Sequence, residues 1–217
     1  MANIGDDITN KRVDYQRSIL IQSNLVADPF QQVQTWLDDA KAEDPEHFNA
    51  FCLSTISESG FPHSRLVLLR GIEKHGLVFF TNYDSQKGKD IAFSEKVSAN
   101  FFWPAIERQL RVRGVARKIS AQESDEYFAS RPRESRIGAI ASAQSDPLNS
   151  REELEDRVAE LTEKYAGKDI PRPTNWGGYA IQPHYLEFWQ GRASRLHDRI
   201  AYLMNADGEW FTQRLNP

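Results

Sequence analysis

Phe30, Val33, Trp36, Leu37 and Ala40 recur at helical spacing, which predicts an amphipathic helix early in the chain. Asp28 supplies its cap, Pro29 its first helical position, and Asp44-Pro45 its end. From Ala50 the period shortens to that of strands. AFCLSTI, SRLVLLRGI and LVFFTN, separated by the turn signals ESGFP and EKHG, predict three consecutive antiparallel strands. A helix over 85–93 follows. VSANFFWP and ERQLRVRGVARKIS then predict a hairpin, with Leu110, Val112 and Val115 set against Gln109, Arg111 and Arg113. Two helical segments are predicted over 121–130 and 135–142. A charged helix runs from 150 to about 165, capped by Ser150 with Glu153 at the capping-box position. PRPTNWGG reads as a loop. GGYAIQP, HYLEFWQG and SRLHDRIAYLM predict three more strands, and WFTQRL after the turn NADG predicts a last short one.

A sheet of many short neighbouring strands removes its edges by closing into a barrel, with helices outside or over one end. The expected fold class is therefore α+β, mainly antiparallel β, in a single domain. Composition narrows the partners. With 27 Lys plus Arg against 31 Asp plus Glu in 217 residues, the chain is mildly acidic, so local cation clusters stand out and nucleic acid is disfavoured. Cys52 is the one cysteine and sits in an apolar run, the setting of a small buried hydrophobe in a reducing compartment. The start MANIGDDITNKR has no secretory pattern, and no apolar run approaches the ~20 residues of a membrane span. A soluble cytoplasmic protein without membrane attachment is expected.

Candidate chemistry concentrates in EFWQGRASRLHDR at 187–199. On a strand, Arg195, His197 and Arg199 share one face beside Trp189. Nothing in an apolar core offsets such crowding unless an anion or an electron-rich ring fills the space. The plainer alternative is a solvated edge strand whose charges block pairing. His47, His63, His75 and His184 lie in separate turns without ligand spacing, so no metal site is expected.

RLVLLR at 65–70, FFTN at 79–82, ERQLRVRG at 107–114, YFASRPRESRIGA at 127–139, QS at 144–145, WGGY at 176–179, EFWQGRASRLHDR and the terminal RLNP occur in one order and spacing. In these the chain resembles the pyridoxine (pyridoxamine) 5'-phosphate oxidases, from Arg12 to its last residue. The resemblance implies an FMN-binding split β-barrel with peripheral helices, working as a homodimer with the flavin held between subunits. It also implies oxidation of pyridoxamine 5'-phosphate or pyridoxine 5'-phosphate at C4', with hydride passing to flavin N5. Oxygen then reoxidises the flavin to give hydrogen peroxide, and the amine substrate releases ammonia.

For the flavin, the resemblance implies contacts at Arg65, Leu66, Val67, Leu68, Leu69 and Arg70, at Phe80 and Thr81, and at Gln86 and Lys87. It adds Gln109, Gln144, Ser145, Trp189 and Arg199. Lys87 falls at a helix start, where free N–H groups favour a phosphate. Strict alternation places Arg65 and Arg70 on opposite faces of their strand. For the vitamer phosphate, the implied residues are Arg70, Tyr127, Arg131 and Ser135, the last able to begin a helix after Pro132. Arg195, Leu196 and His197 are implied at the pyridine ring, with Arg195 and His197 as the catalytic pair. Asp198, pointing the other way, is expected to be a structural partner of a neighbouring Arg. Arg12, Val13, Asp14 and Tyr15 are implied to fold over the substrate, with residues 1–11 a mobile arm.

The chain departs from the family pattern at Arg70, where Lys is usual, and at Gln86, where Arg is common. DPEHFNAF is also a few residues long, so Asp44 and His47 are left outside the site. Two other classes compete: another flavin reductase on the same barrel, and a non-catalytic binder of FMN or B6 phosphates.

Overall fold

The computed structural model describes residues 14–217, which group into two compact units. One contains residues 49–100 and 112–184. In the other are residues 14–48, 101–111 and 185–217.

In the first unit β1 (Ala50–Ile56) pairs antiparallel with β2 (Pro62–Leu68) on one side and with β5 (Lys96–Trp103) on the other. There β4 (Gly76–Asn82) lies between β3 (Gly71–Glu73) and the start of β7 (Trp176–Gln190), with Leu77 opposite Ile181. With β6 (Arg108–Lys118), the hydrogen-bonded order is β2-β1-β5-β6-β7-β4-β3. Alternation buries Phe51, Leu53 and Thr55 of β1. Phe51 meets Phe79 edge-on at 6.1 Å, and Phe79 stacks on Tyr179 at 5.7 Å.

The inward face of β6 differs from the expected one. Leu110, Val112, Gly114 and Ala116 are buried, and Val115 faces the other way. Gly114 takes the inward place because the backbone of Gln182 passes there: a Cβ at 114 would stand 2.2 Å from its carbonyl oxygen.

The helices of this unit are α2 (Gln86–Phe93), α3 (Ala121–Ser130), α4 (Arg133–Ala141) and α5 (Arg151–Lys164). A full capping box closes α3, between Ser120 and Glu123. At α5 only half of one forms. Ser150 accepts from the Glu153 N–H, while the Glu153 carboxylate turns to Asn149 and Arg157. Phe128, Ile137, Ile170 and Trp176 form a core under these helices, joined by Val158 and Leu161. Cys52 is half-buried.

In the second unit α1 (Pro29–Glu43) follows the expected pattern, with Asp28 accepting from the Phe30 N–H at 2.9 Å. Its Trp36 packs edge-on against Phe188 at 4.9 Å, and the Arg108 guanidinium covers the ring at 4.6 Å. Phe188 also touches Tyr202, whose hydroxyl donates to the Val26 carbonyl at 2.6 Å. β8 (Asp198–Met204) pairs with β7 on one side and β9 (Trp210–Leu215) on the other.

The strand expected across 187–199 is interrupted. β7 ends at Gln190 and β8 begins at Asp198, with Trp189 opposite Arg199. Between them Ala193–Arg195 forms a tight turn in which Ser194 and Arg195 hold φ of 56° and 60°. Two successive left-handed residues turn the chain back on itself, so Arg195 and His197 sit on a loop and only Arg199 stands on a strand. Among the described residues no helix is long and apolar enough to cross a membrane.

Phe188 is fully buried between Trp36 and Tyr202. Phe188→Ala is expected to lower unfolding free energy by about 3–5 kcal/mol in urea titration. A loss under 1 kcal/mol contradicts this account of the core.

Candidate functional site

In the first unit a cleft of about 310 Å³ opens beside β2, lined by Arg65, Leu66, Val67, Leu68, Arg70, Phe80, Thr81, Asn82, Lys87, Tyr127, Arg131, Gln144 and Trp176. Both arginines of RLVLLR reach it, contrary to the expectation that alternation separates them. The strand stops at Leu68. Beyond it the Arg70 N–H donates to the Val78 carbonyl at 2.8 Å, so alternation no longer governs where that side chain goes. Leu69, the other expected flavin contact here, is buried and not among the lining residues.

Arg65 is held from behind. Its Nη1 donates to the Leu53 carbonyl at 3.2 Å, to Thr55 Oγ1 at 2.8 Å and to the His63 carbonyl at 3.1 Å. Its Nη2 lies 3.5 Å from Asp90 Oδ2. Asp90, buried on α2, also accepts from Thr55 at 2.6 Å and Gln86 at 2.9 Å, with His63 Nδ1 at 3.0 Å. Burial pushes its carboxyl up, but the hydrogen bonds from Thr55, Gln86 and His63 outweigh this and hold it below the usual range. Gln86 is thus turned to Asp90 and is not among the residues lining the cleft.

Lys87, in the first turn of α2, is 8% exposed. Its Nζ donates to Gln144 Oε1 at 3.0 Å and Ser85 Oγ at 3.3 Å, and Thr81 donates to the same Gln144 oxygen at 3.1 Å. Burial, and then the charge of Arg65, bring its pKa down to about 8. Ser145 follows in the left-handed region at φ 78°, exposed and not among the lining residues.

A second cationic group stands across the cleft. Tyr127 stacks on Phe80 at 3.7 Å, and the Arg131 guanidinium lies 4.6 Å over Trp176. Arg131 Nη1 is buried and, among the described residues, has no hydrogen-bond partner. Such an orphaned charged donor is costly unless a ligand satisfies it. Burial, and the charge of Arg70, lower its pKa. Ser135 lines an adjoining cleft of about 320 Å³ that shares Arg131, Gln144, Asn82 and Trp176 with the first. It sits inside the first turn of α4, which begins two residues earlier than expected because Pro132 serves as the cap position. Asn82 and Trp176 line the cleft without having been assigned to the site. Both lie in sequence stretches already singled out, FFTN and WGGY.

The remaining candidates belong to the second unit. Tyr15 meets Trp189 at 5.7 Å and His197 at 5.8 Å, and Trp189 lies 4.6 Å from His197. The Arg192 N–H donates to His197 Nδ1 at 3.1 Å, which puts the ring proton on Nε2. Burial and the charge of Arg195 lower the His197 pKa, so the ring is a neutral donor. Arg195 and Leu196 are exposed on the turn, and Asp14 accepts from the Ser194 N–H at 3.4 Å.

Arg199 is engaged elsewhere, its Nε donating to buried Glu187 at 2.8 Å and its Nη1 to the Asn216 carbonyl at 2.8 Å. Burial pushes the Glu187 carboxyl up, yet hydrogen bonds from Arg199 and Tyr185, with Arg111 nearby, bring it below the usual range. Asp198 pairs with Arg192 and Arg214, the structural part expected of it. Gln109 is half-buried in β6. Arg12, Val13 and the arm over 1–11 lie outside the described residues.

A charged Lys87 costs the folded chain stability below about pH 8, and the cost fades as pH rises toward the ordinary 10.5. Lys87→Met is therefore expected to stabilise the ligand-free protein at pH 7 by about 1–3 kcal/mol, with the advantage vanishing near pH 10.5. Chemical denaturation at both pH values checks the sign; a variant weaker than the parent at pH 7 refutes it.

A family model described as pyridoxamine 5'-phosphate oxidase matches residues 37–165, and one described as the pyridoxine 5'-phosphate oxidase C-terminal dimerisation region matches residues 176–217. A pyridoxine/pyridoxamine 5'-phosphate oxidase of Herminiimonas arsenicoxydans is 47% identical over 211 residues, 97% of this chain and 99% of the relative. That of Synechocystis sp. is 46% identical over 213 residues, 98% of this chain and 99% of the relative. Among solved structures, PhzG from Burkholderia lata, in complex with tetrahydrophenazine-1-carboxylic acid, superposes with a TM-score of 0.85 at 29% identity, covering 92% of this chain and 98% of its own. A pyridoxamine 5'-phosphate oxidase-related, FMN-binding protein of Nostoc punctiforme gives 0.70 at 17% identity, covering 89% and 100%. These likenesses identify the fold as the mainly antiparallel split β-barrel with peripheral helices. On the family models and the full-length relatives together, the chain belongs to the pyridoxine/pyridoxamine 5'-phosphate oxidase family of enzymes.

Proposed function

We propose that this protein is an FMN-dependent oxidase that converts pyridoxamine 5'-phosphate or pyridoxine 5'-phosphate to pyridoxal 5'-phosphate, acting as a homodimer in the cytoplasm. The observation that carries this reading is the pair of cationic groups in one cleft: Arg65 with Lys87, and Arg70 with Arg131. FMN and the vitamer are both phosphate monoesters of roughly −1.5 to −2 charge, so two separate seats are what the reaction requires.

The residues present fit the flavin. Lys87, its pKa brought down to about 8, still carries its charge at pH 7 in a buried place and gains a counter-charge when a phosphate arrives. Amide and hydroxyl groups at Gln144 and Thr81 supply uncharged polar contacts along the same wall. Bound FMN would supply the redox chemistry: hydride acceptance at N5 from substrate C4', and return of the two electrons to oxygen as hydrogen peroxide, with water hydrolysing the imine of the amine substrate to aldehyde and ammonia.

The chain's own residues bind and orient. Arg131, already flattened on Trp176, offers its unpartnered Nη1 to the vitamer phosphate, with Tyr127 and Ser135 adding hydroxyls. His197 donates from Nε2 to a ring substituent and Arg195 stabilises charge that develops near the reacting carbon. Asp14 and Tyr15 pack against this loop and cover the substrate from that side. Leu66 on β2 is 76% exposed and Leu68 42%, an apolar edge beside the cleft that suits cover by a second subunit, with the flavin at that interface. A flavin reductase using a nicotinamide cofactor leaves Tyr127, Arg131 and Ser135 without a task, and a binding protein leaves Arg195 and His197 without one.

Anaerobic addition of pyridoxamine 5'-phosphate to the FMN-loaded protein is expected to bleach the yellow colour, and air to restore it with peroxide. A flavin that stays yellow excludes the oxidase reading. Gln86 stands where the family commonly carries a cation, so Gln86→Arg is expected to tighten FMN binding by about tenfold, one charged hydrogen bond's worth. Equal FMN dissociation constants for variant and parent remove that idea.

A further inference from the structure

We infer that Asp90 is a positioning residue that aims Arg65 at the flavin phosphate, acting through the guanidinium without touching the ligand; this rests on the flavin reading of the cleft proposed above. Asp90 is not among the residues lining the cleft, and its side chain is 2% exposed. Its two oxygens nevertheless take hydrogen bonds from four side chains around Arg65, that arginine included. Oδ2 takes Thr55, His63 and the Arg65 Nη2, and Oδ1 takes Gln86.

Thr55 completes the clamp. Its one hydroxyl accepts from Arg65 Nη1 at 2.8 Å and donates to Asp90 at 2.6 Å. With Nη1 also bonded to the Leu53 and His63 carbonyls, three of its contacts are spent inside the protein. Nε and the second N–H of Nη2 are the donors left to point at an anion. Asp90 therefore ties β1, β2 and the first turn of α2 to a single arginine, and the direction of that arginine is fixed before any ligand binds.

A purely electrostatic role predicts the opposite sign from a positioning role. A carboxylate near a phosphate seat repels the phosphate, so neutralising Asp90 strengthens binding if Coulomb energy alone matters. If Asp90 aims Arg65, Asp90→Asn weakens binding. Asn keeps one acceptor oxygen and puts an NH2 group in place of the other, so either Gln86 or the set of Thr55, His63 and Arg65 meets a donor, and the charge that holds Arg65 is lost.

The test is a double-mutant cycle on the full chain freed of flavin, reading FMN dissociation constants by quenching of flavin fluorescence. Asp90→Asn is expected to weaken FMN about tenfold or more in the parent, and less than about twofold in an Arg65→Ala background. Unchanged or tighter binding by Asp90→Asn overturns the inference. So does an equal loss in both backgrounds, which marks a general structural defect. If the parent itself fails to bind FMN, the reading of the cleft falls and the inference with it, an outcome visible before any variant is made. Should Asp90→Asn not fold, Thr55→Val removes the bridging hydroxyl and is read in the same cycle, with the same two outcomes deciding.

Discussion

Like charges crowded around one cavity are the constraint to which the rest of the site answers. Arg65, Arg70, Lys87 and Arg131 line a single cleft, and none of its lining residues is a carboxylate. Left to themselves these groups repel one another and lose hydration. The fold meets the cost in a different way at three of the four. Lys87 gives up much of its basicity, Arg131 lies on an indole face, and Arg65 is tethered to a carboxylate kept outside the cleft. Stability is surrendered locally and cationic donors stand in place before any anion arrives, a pattern common to sites that hold strongly charged ligands.

The scaffold explains how so few residues hold this arrangement. β1 and β2 present Thr55, His63 and Arg65 in register, since Thr55 stands opposite His63 and Leu53 opposite Arg65. The α2 helix begins where Ser85 caps it, and its first and second turns deliver Lys87 and Asp90 to the same locality. The indole of Trp176 starts β7 and serves twice, as part of the core beneath α3 and α4 and as the platform for Arg131.

Much of this was legible in the sequence. Helical spacing after Asp28-Pro29 located α1 and alternation located β1, because burial of one face dictates the period, whereas β4, buried on both faces, was marked by its apolar run between turn signals. Most of the flavin and phosphate candidates do line one cleft or its neighbour. The failures share a cause. Alternation holds only within a strand, and Arg70 and Arg195 lie beyond strand ends, where backbone hydrogen bonds and left-handed residues govern direction. Val115 was misplaced because a glycine can occupy an inward position when another backbone presses close, and a glycine adds nothing to a hydrophobic pattern. The burial of Asp90 had no sequence signal at all, since an acid on a short helix reads as solvent-facing until the donors around it are located.

The loop bearing Arg195 is tied to the start of the described chain by a steric fact. Gly191 faces the ring of Tyr15 so closely that a Cβ there would fall 2.6 Å from the ring carbon Cγ. No other amino acid fits at 191 while Tyr15 stays where it is. The turn and the segment that carries Tyr15 are consequently fitted to one another: any side chain at 191 would have to displace that tyrosine, and with it the edge contacts its ring makes with Trp189 and His197.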